Sequence, residues 1–317
     1  MPDFPAIEQI RAAARRIKPL VHRTPLLTCK SLDQLCGANL YFKCENFQKV
    51  GAFKARGATN VVYSLGEKDL ERGVATHSSG NHGAALAYAA RCRGARAYVV
   101  MPDNASPVKI AAVQGYGAEV IYSESTQQAR EAALDEVVNR TGALFIHPYN
   151  DYRIIAGQAT AALEMIEQVS NLDAVIAPVG GGGLLSGTAL AVSALRPQVS
   201  VYGAEPAGAD DAFRSLQAGY IIPSEKPDTI ADGLRTSLGD LTFPIIQKHV
   251  TAIVTVSEGS IVEAMRLVWE RMKIVIEPSS AVALAPLLTG SDGIKGTKIG
   301  LIVSGGNVNL DNLPWQA

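Results

Sequence analysis

Short apolar runs alternate with Ala-rich stretches along most of the chain. The runs at 40–43, 97–101, 119–122, 143–146, 174–179, 200–204 and 298–303 predict strands. The stretches at 81–93, 106–114, 127–141, 154–169, 184–195 and 260–273 predict helices. Ala174-Val175-Ile176-Ala177-Pro178-Val179 is apolar at every position, as a strand covered on both faces must be. Repeated strand–helix alternation predicts an α/β fold of open, mostly parallel sheets covered by helices. Two β-rich blocks, about 74–146 and about 174–303, predict two such sheets. In sheets of this kind ligands bind beyond the carboxyl ends of the strands. No internal repeat, low-complexity tract or disordered tail interrupts the pattern.

Composition narrows the function classes. At 317 residues, 47 % hydrophobic and 19 % charged, the chain has the material for two large cores. A net charge of -1 excludes the basic footprint of a nucleic-acid binder and a polybasic membrane patch. Aromatic content of 6 %, with two distant Trp, argues against a base-stacking platform. Cys29, Cys36, Cys44 and Cys92 form no Cys-x-x-Cys pair and have no His at ligand spacing, so they read as thiols in a reducing compartment. The first residues form a charged amphipathic stretch with Arg11, Arg15 and Arg16 and no apolar signal core, and no run is long enough to span a bilayer. A soluble cytoplasmic protein is expected.

Four segments carry candidate chemistry. In Gly51-Ala52-Phe53-Lys54-Ala55-Arg56-Gly57-Ala58 a lysine sits among small and apolar residues. Burial disfavours its charged form and prepares it as a nucleophile and base, although a helix-start lysine snorkelling to solvent is the plainer reading of this segment alone. Ser78-Ser79-Gly80-Asn81-His82-Gly83 precedes an Ala-rich helix. One cap needs one such polar residue, whereas four bracketed by glycines suggest a cradle for a carboxylate at a helix N-terminus. Gly180-Gly181-Gly182-Gly183 lies between the buried strand and the next helix, where backbone N–H groups and the helix dipole favour a phosphate. Val303-Ser304-Gly305-Gly306-Asn307 follows the last strand; it is either an ordinary turn or a hydroxyl facing a ring nitrogen.

The strand–glycine–helix unit invites a dinucleotide reading, but Gly-x-Gly-x-x-Gly fails at Leu185 or Ser186, depending on the start, and no Walker-type Gly-Lys-Ser/Thr is present. An amine, a carboxylate cradle, a phosphate cradle and a ring-nitrogen partner together fit pyridoxal phosphate.

On these motifs the chain resembles the fold-type II pyridoxal-phosphate enzymes (tryptophan synthase β-like), in the serine racemase and serine/threonine dehydratase branch. The resemblance runs from about Ile17 to Asn309. It implies Lys54 as the Schiff-base lysine and the base at Cα, and Phe53 beside the ring. Asn81 would bond the phenolic oxygen, Gly180, Gly181, Gly182, Gly183 and Leu184 would form the phosphate loop, and Ser304 would be the ring-nitrogen partner. Ser78, Ser79, Asn81 and His82 would form the substrate-carboxylate cradle, with Ser79 also matching the opposite-face acid/base of racemases. A serine is a neutral partner, so the ring nitrogen need not be protonated, which favours expulsion of a β-hydroxyl. Residues 1–73 and 150–317 would form a large cofactor-binding domain and 74–149 a small substrate-gating one.

The resemblance also implies a divalent cation (Mg²⁺, Mn²⁺ or Ca²⁺) on Glu205, Asp211 and the carbonyl of Ala209, and a homodimer. Position 149, here Tyr149, varies within the family. Arg130 aligns with an arginine near the substrate entrance and suits a second carboxylate; Arg235 and Thr236 are further candidates for substrate contact. The expected reaction is dehydration and deamination of a β-hydroxy amino acid, with 3-hydroxyaspartate favoured and serine or threonine also open. The alternatives are a serine racemase with side dehydratase activity and an L-serine/L-threonine dehydratase.

Overall fold

The computed structural model describes residues 4–78, 80–105, 107–290 and 293–316. Its strands are β1 (Leu26–Leu27), β2 (Asn39–Cys44), β3 (Val74–His77), β4 (Ala97–Pro102), β5 (Glu119–Ser123), β6 (Leu144–Phe145), β7 (Ala174–Pro178), β8 (Ser200–Pro206), β9 (Ala252–Val256) and β10 (Lys298–Val303). One sheet runs β1-β2-β10-β7-β8-β9 and the other β5-β4-β3-β6. Of the strand pairs among the described residues, only β1–β2 is antiparallel. The α/β class with two open, mostly parallel sheets is therefore as expected. The larger sheet also recruits β1 and β2 from before the first β-rich block. The short strands β1, β3 and β9 were not singled out by the pattern, and the expected strand at 143–146 is reduced to β6.

Alternation along the central strands explains why both faces of the larger sheet are covered. Val175 and Ala177 join a core with Ile155, Leu163, Leu185 and Ile302, whereas Ala174 and Ile176 join another with Phe42, Tyr202, Met265 and Leu301. A strand that feeds two cores has no polar face, hence its uniform apolarity. The helices Tyr152–Gln168 and Gly183–Leu195 pack on the first of these faces, and Lys54–Val62 packs on Tyr152–Gln168. Glycines let their backbones touch: a Cβ on Gly157 would lie 2.6 Å from Gly57 Cα, and one on Gly187 2.7 Å from the Ala159 nitrogen.

The start of the Lys54–Val62 helix is anchored by a buried ionic cluster. Arg56 donates to Glu45 through Nε (2.6 Å) and Nη2 (2.8 Å), and to Glu164 through Nη1 (2.8 Å) and Nη2 (2.9 Å). Lys43 donates to Glu164 (2.6 Å), the Thr24 carbonyl (2.9 Å) and Gln168 (3.0 Å). Burial alone would lower the Arg56 pKa, but Glu45 and Glu164 hold it above its usual value. Among the described residues no helix is long and apolar enough to cross a membrane.

Candidate active site

The carboxyl ends of β3, β7 and β10 open onto one cavity of about 290 Å³. Phe53, Lys54, Ser78, Asn81, His82, Arg130, Gly180, Gly181, Gly182, Gly183, Leu184, Thr236 and Ser304 all line it. Ser79 lies outside the described residues. Sequence separations of up to about 250 residues are closed by specific contacts. Ala52 bridges Gly305, and the Phe53 N–H donates to the Ser304 carbonyl at 2.9 Å, so the lysine segment is fastened to the end of β10.

Lys54 is the first residue of its helix and sits deep in the protein, with part of its side chain open to the cavity. Its Nζ donates to the Pro148 carbonyl at 2.8 Å and stands 5.2 Å from the Phe53 ring centroid. No carboxylate pairs with it among the described residues. Burial pulls its pKa down from 10.5 to about 8.

The glycine segment starts the Gly183–Leu195 helix, and no side chain caps that N-terminus. Gly182 has φ +88°, the left-handed region that glycine tolerates. The other glycines are required by crowding: a Cβ on Gly181 or Gly183 would collide with Tyr149, and one on Gly180 with Leu234 and Gly233. Tyr149 therefore lies against the loop. Its hydroxyl pairs with Thr236, and burial pushes its pKa up to about 12.

Asn81 is clamped from two sides. Its amide NH₂ donates to Glu277 at 2.9 and 3.2 Å, and its carbonyl accepts from Asn307 at 2.8 Å. Glu277 is 4 % exposed, and burial, then Asp232, raise its pKa to about 7. Burial and then Lys54 keep His82 neutral, and its Nδ1 has no partner among the described residues. His147 Nδ1 accepts from the Tyr149 and Asn150 N–H groups, leaving Nε2 to carry the hydrogen, and burial followed by His77 lowers its pKa to about 4. Ser304 Oγ lies 3.0 Å from Ser280 Oγ.

Four basic side chains line the cavity, and their commitments differ. Lys109 pairs with Asp232 across the cavity. Arg235 is held by the Thr229 carbonyl, so its guanidinium is tied to the loop more than offered to a substrate. Arg130 donates through Nε to the Thr126 carbonyl at 3.3 Å and has no carboxylate partner among the described residues. Its charge adds to burial in lowering His77.

Glu205 and Asp211 lie outside the cavity, at the end of β8. Glu205 is fully buried, and its two oxygens accept the Ala212 and Phe213 N–H groups at 3.0 and 2.9 Å. Burial raises it to about 9 and Asp211 to about 6. The Ser224 hydroxyl opposes the Asp211 shift, but neither Asp211 oxygen has a partner in hydrogen-bond geometry. Ala209 is buried in the turn between them. Among the described residues no group of three or more His, Cys, Asp or Glu is arranged around a common metal position, so a cation here would need the carbonyl and water.

The residues fit pyridoxal phosphate: an unpaired amine, an uncapped helix N-terminus behind a crowded glycine turn, a fixed amide and a buried hydroxyl face one cavity. Glu277, His77, His147, Lys109 and Asp232 were not singled out from the sequence. Glu277 had one signal, an acid before proline directly after the apolar Ile274-Val275-Ile276.

A family model described as pyridoxal-phosphate dependent enzyme matches residues 17–305. A protein named beta-hydroxyaspartate dehydratase from Paracoccus denitrificans is 51 % identical over 313 residues, covering 99 % of both chains. A serine racemase from Dictyostelium discoideum is 50 % identical over 97 % of this chain and 96 % of its own. Its crystal structure matches with a TM-score of 0.92 over 96 % of this chain and 99 % of that one. The crystal structure of a T.th. threonine deaminase is 46 % identical, with a TM-score of 0.92 over 96 % and 99 % of the two chains.

Proposed function

The chain belongs to the pyridoxal-phosphate dependent enzymes, and on that premise we propose that it eliminates water from 3-hydroxyaspartate and releases ammonia as water adds back, giving oxaloacetate and ammonia. The observation that carries this reading is the presence in one cavity of two basic side chains that have no carboxylate partner among the described residues. Lys54 supplies an amine with a depressed pKa, and Arg130 a guanidinium without a carboxylate partner among the described residues. Serine and threonine have one carboxylate, which the N-terminus of the Asn81–Cys92 helix can hold with Ser78 and Asn81. Hydroxyaspartate has a second, which Arg130 can grip with two parallel hydrogen bonds.

Pyridoxal phosphate, when bound, supplies an aldehyde for the substrate amine and a ring that withdraws electrons from Cα. Lys54 would hold that aldehyde through Nζ and, once the substrate amine had displaced it, would take the Cα proton on the freed Nζ. The glycine loop and the dipole of the Gly183–Leu195 helix hold the phosphate. Asn81, fixed by Glu277 and Asn307, would offer its amide to the phenolic oxygen, and Ser304 would be the partner of the ring nitrogen. Tyr149, Phe53 and Leu184 limit water around the reacting carbon. The β-hydroxyl leaves as water, and hydrolysis of the released enamine returns water and frees ammonia.

A divalent cation on Glu205, Asp211 and the Ala209 carbonyl is part of the same reading, supported by the two Asp211 oxygens without partners. Residues 74–149 act as the gating unit, supported by Lys109 reaching Asp232 across the cavity. The enzyme works as a cytoplasmic homodimer with no nucleic-acid or membrane partner.

The test compares initial rates of keto-acid formation from the 3-hydroxyaspartate stereoisomers, L-serine and L-threonine, with pyridoxal phosphate and Mg²⁺ present. Oxaloacetate from one stereoisomer should far outpace pyruvate from serine. Arg130→Gln should lower kcat/KM for that isomer about 10–100-fold, the scale of one lost charge pair, and leave serine little affected. Negligible oxaloacetate would reject the substrate. The enzyme would then be a serine/threonine dehydratase, or a racemase if D-serine exceeds pyruvate.

A further inference from the structure

Asn307, the last residue of the motif that follows β10, lies outside the cavity lining. Its Nδ2 is 2.8 Å from the Val50 carbonyl oxygen and 2.8 Å from Asn81 Oδ1. Asn81 Nδ2 in turn reaches both oxygens of the buried Glu277 carboxylate. An asparagine amide can be turned over, exchanging its oxygen for its NH₂, so its neighbours set its polarity. Here one neighbour has no choice. The Val50 carbonyl can only accept, so the Asn307 group beside it is the NH₂. The same nitrogen gives its second hydrogen to Asn81, whose facing atom is therefore the oxygen. That turns the Asn81 NH₂ to Glu277. The two oxygens of one carboxylate lie too close together to take both of its diverging hydrogens, and Asn81 Nδ2 has no other acceptor among the described residues. One Asn81 hydrogen is left for the cavity that Asn81 lines.

The Val50 carbonyl that fixes this chain is aimed by a costly turn. Val50 has φ +56°, a left-handed conformation that a β-branched residue rarely adopts. Gly51 follows with φ +70°, and a Cβ there would lie 2.6 Å from Asn307 Oδ1. The Gly306 N–H donates to the Gly51 carbonyl at 2.9 Å and ties the turn to the Asn307 segment. Strain of this kind persists where the surroundings over-determine it. The turn stands just before Phe53 and Lys54, so Asn307 joins the lysine segment to Asn81.

We infer that Asn307 and Glu277 are positioning residues that hold the Asn81 amide with an N–H toward the cofactor's phenolic oxygen, and so keep that oxygen ionised. The inference rests on the proposed pairing of Asn81 with that oxygen. It goes beyond the pairing because either end of an amide can meet a phenol, whereas only the N–H end can meet a phenolate. An ionised phenolic oxygen leaves the proton on the nitrogen of the Lys54 linkage, which opens that linkage to the substrate amine.

The test is the absorption spectrum of the holoenzyme, loaded with pyridoxal phosphate, in the wild type and in Glu277→Leu, Glu277→Gln, Asn307→Asp and Asn81→Ala. An ionised phenolic oxygen gives a visible band and an un-ionised one a near-ultraviolet band. The wild type should absorb mainly in the visible band. Glu277→Leu removes the acceptor, and Asn307→Asp has no hydrogen for Asn81. Each should lower the visible-to-ultraviolet ratio about tenfold or more, the scale of one hydrogen bond to a charged group. Glu277→Gln keeps an acceptor and should stay close to wild type. A wild type dominated by the ultraviolet band overturns the inference. So does a wild-type ratio in Glu277→Leu and Asn307→Asp, or a Glu277→Gln ratio as low as that of Glu277→Leu. Asn81→Ala should lower the ratio too. If it does not, the pairing of Asn81 with the phenolic oxygen has failed and the inference falls with it. That failure is distinct from an Asn81→Ala effect that the Glu277 and Asn307 variants do not reproduce. Should one of those variants not fold, the other, on a different segment, still decides.

Discussion

Lys43 and Lys54 are both lysines set deep in the protein, and in both burial is the main force lowering the pKa. Their surroundings differ in one respect. The Lys43 ammonium has three acceptors for three hydrogens, one of them the Glu164 carboxylate at 2.6 Å. Lys54 has the Pro148 carbonyl and no carboxylate among the described residues. Glu164 and Glu45 oppose the effect of burial on Lys43, while at Lys54 nothing offsets it and the pKa reaches about 8. Burial thus makes a lysine costly, and the presence or absence of a counter-ion decides whether it remains a structural cation or becomes a nucleophile. The ionic cluster around Arg56 and the cavity around Lys54 are adjacent regions using the same residue types for opposite ends: one satisfies every charge, the other leaves an amine without a counter-ion.

The sharpest way to break this contrast is Lys54→Ala. Keto-acid formation should fall by more than about 10⁴-fold, since the covalent anchor and the base are lost together. Thermal unfolding of the cofactor-free protein should be unchanged or slightly later. The unfolded chain binds the Lys54 proton more tightly than the folded one, so the penalty of burying this amine is fully present below pH 8 and fades as pH rises toward 10.5. A large loss of stability would show that Lys54 is structural after all.

Arg56→Ala should do the reverse. Removing it leaves Glu45 and Glu164 buried without their main partner, at a cost of about 3–5 kcal/mol measured by urea unfolding. Lys43→Met should cost less, about 1–3 kcal/mol, because Glu164 retains Arg56. Equal losses at the two positions would mean that the cluster does not behave as the geometry implies. The smallest effect is in reactivity. An amine-directed reagent acting on the cofactor-free protein should label Lys54 with a rate that rises through pH about 8 and then levels, while Lys43 stays protected. A Lys54 midpoint near 10.5 would remove the distinction between the two lysines.

Much of this was legible in the chain. Uniformly apolar 174–179 marked a central strand because both faces of β7 contribute to cores. The Phe53-Lys54 segment, the glycine run and Ser304, singled out as candidates, all line one cavity. Less legible was the reason for each glycine. Anion binding explained the run as a whole, yet Gly181 and Gly183 are forced by the Tyr149 ring, which arrives from a separate segment. Glu277 was missed because an acid before a proline looks like any helix start until Asn81 is brought against it. Arg235 lines the cavity, but its tie to the Thr229 carbonyl is a matter of loop shape that residue order does not show.

The sequence by itself determined the fold class, the family and the residue types that line the cavity, since periodicity and local motifs act over a few residues. Tertiary structure alone decided which lysine lacks a counter-ion, which segment crowds the glycine run and which acid is brought against Asn81. Each of these depends on partners from distant segments at distances of about 3 Å, and hydrogen bonding and charge pairing fall off too steeply with distance for residue order to reveal them.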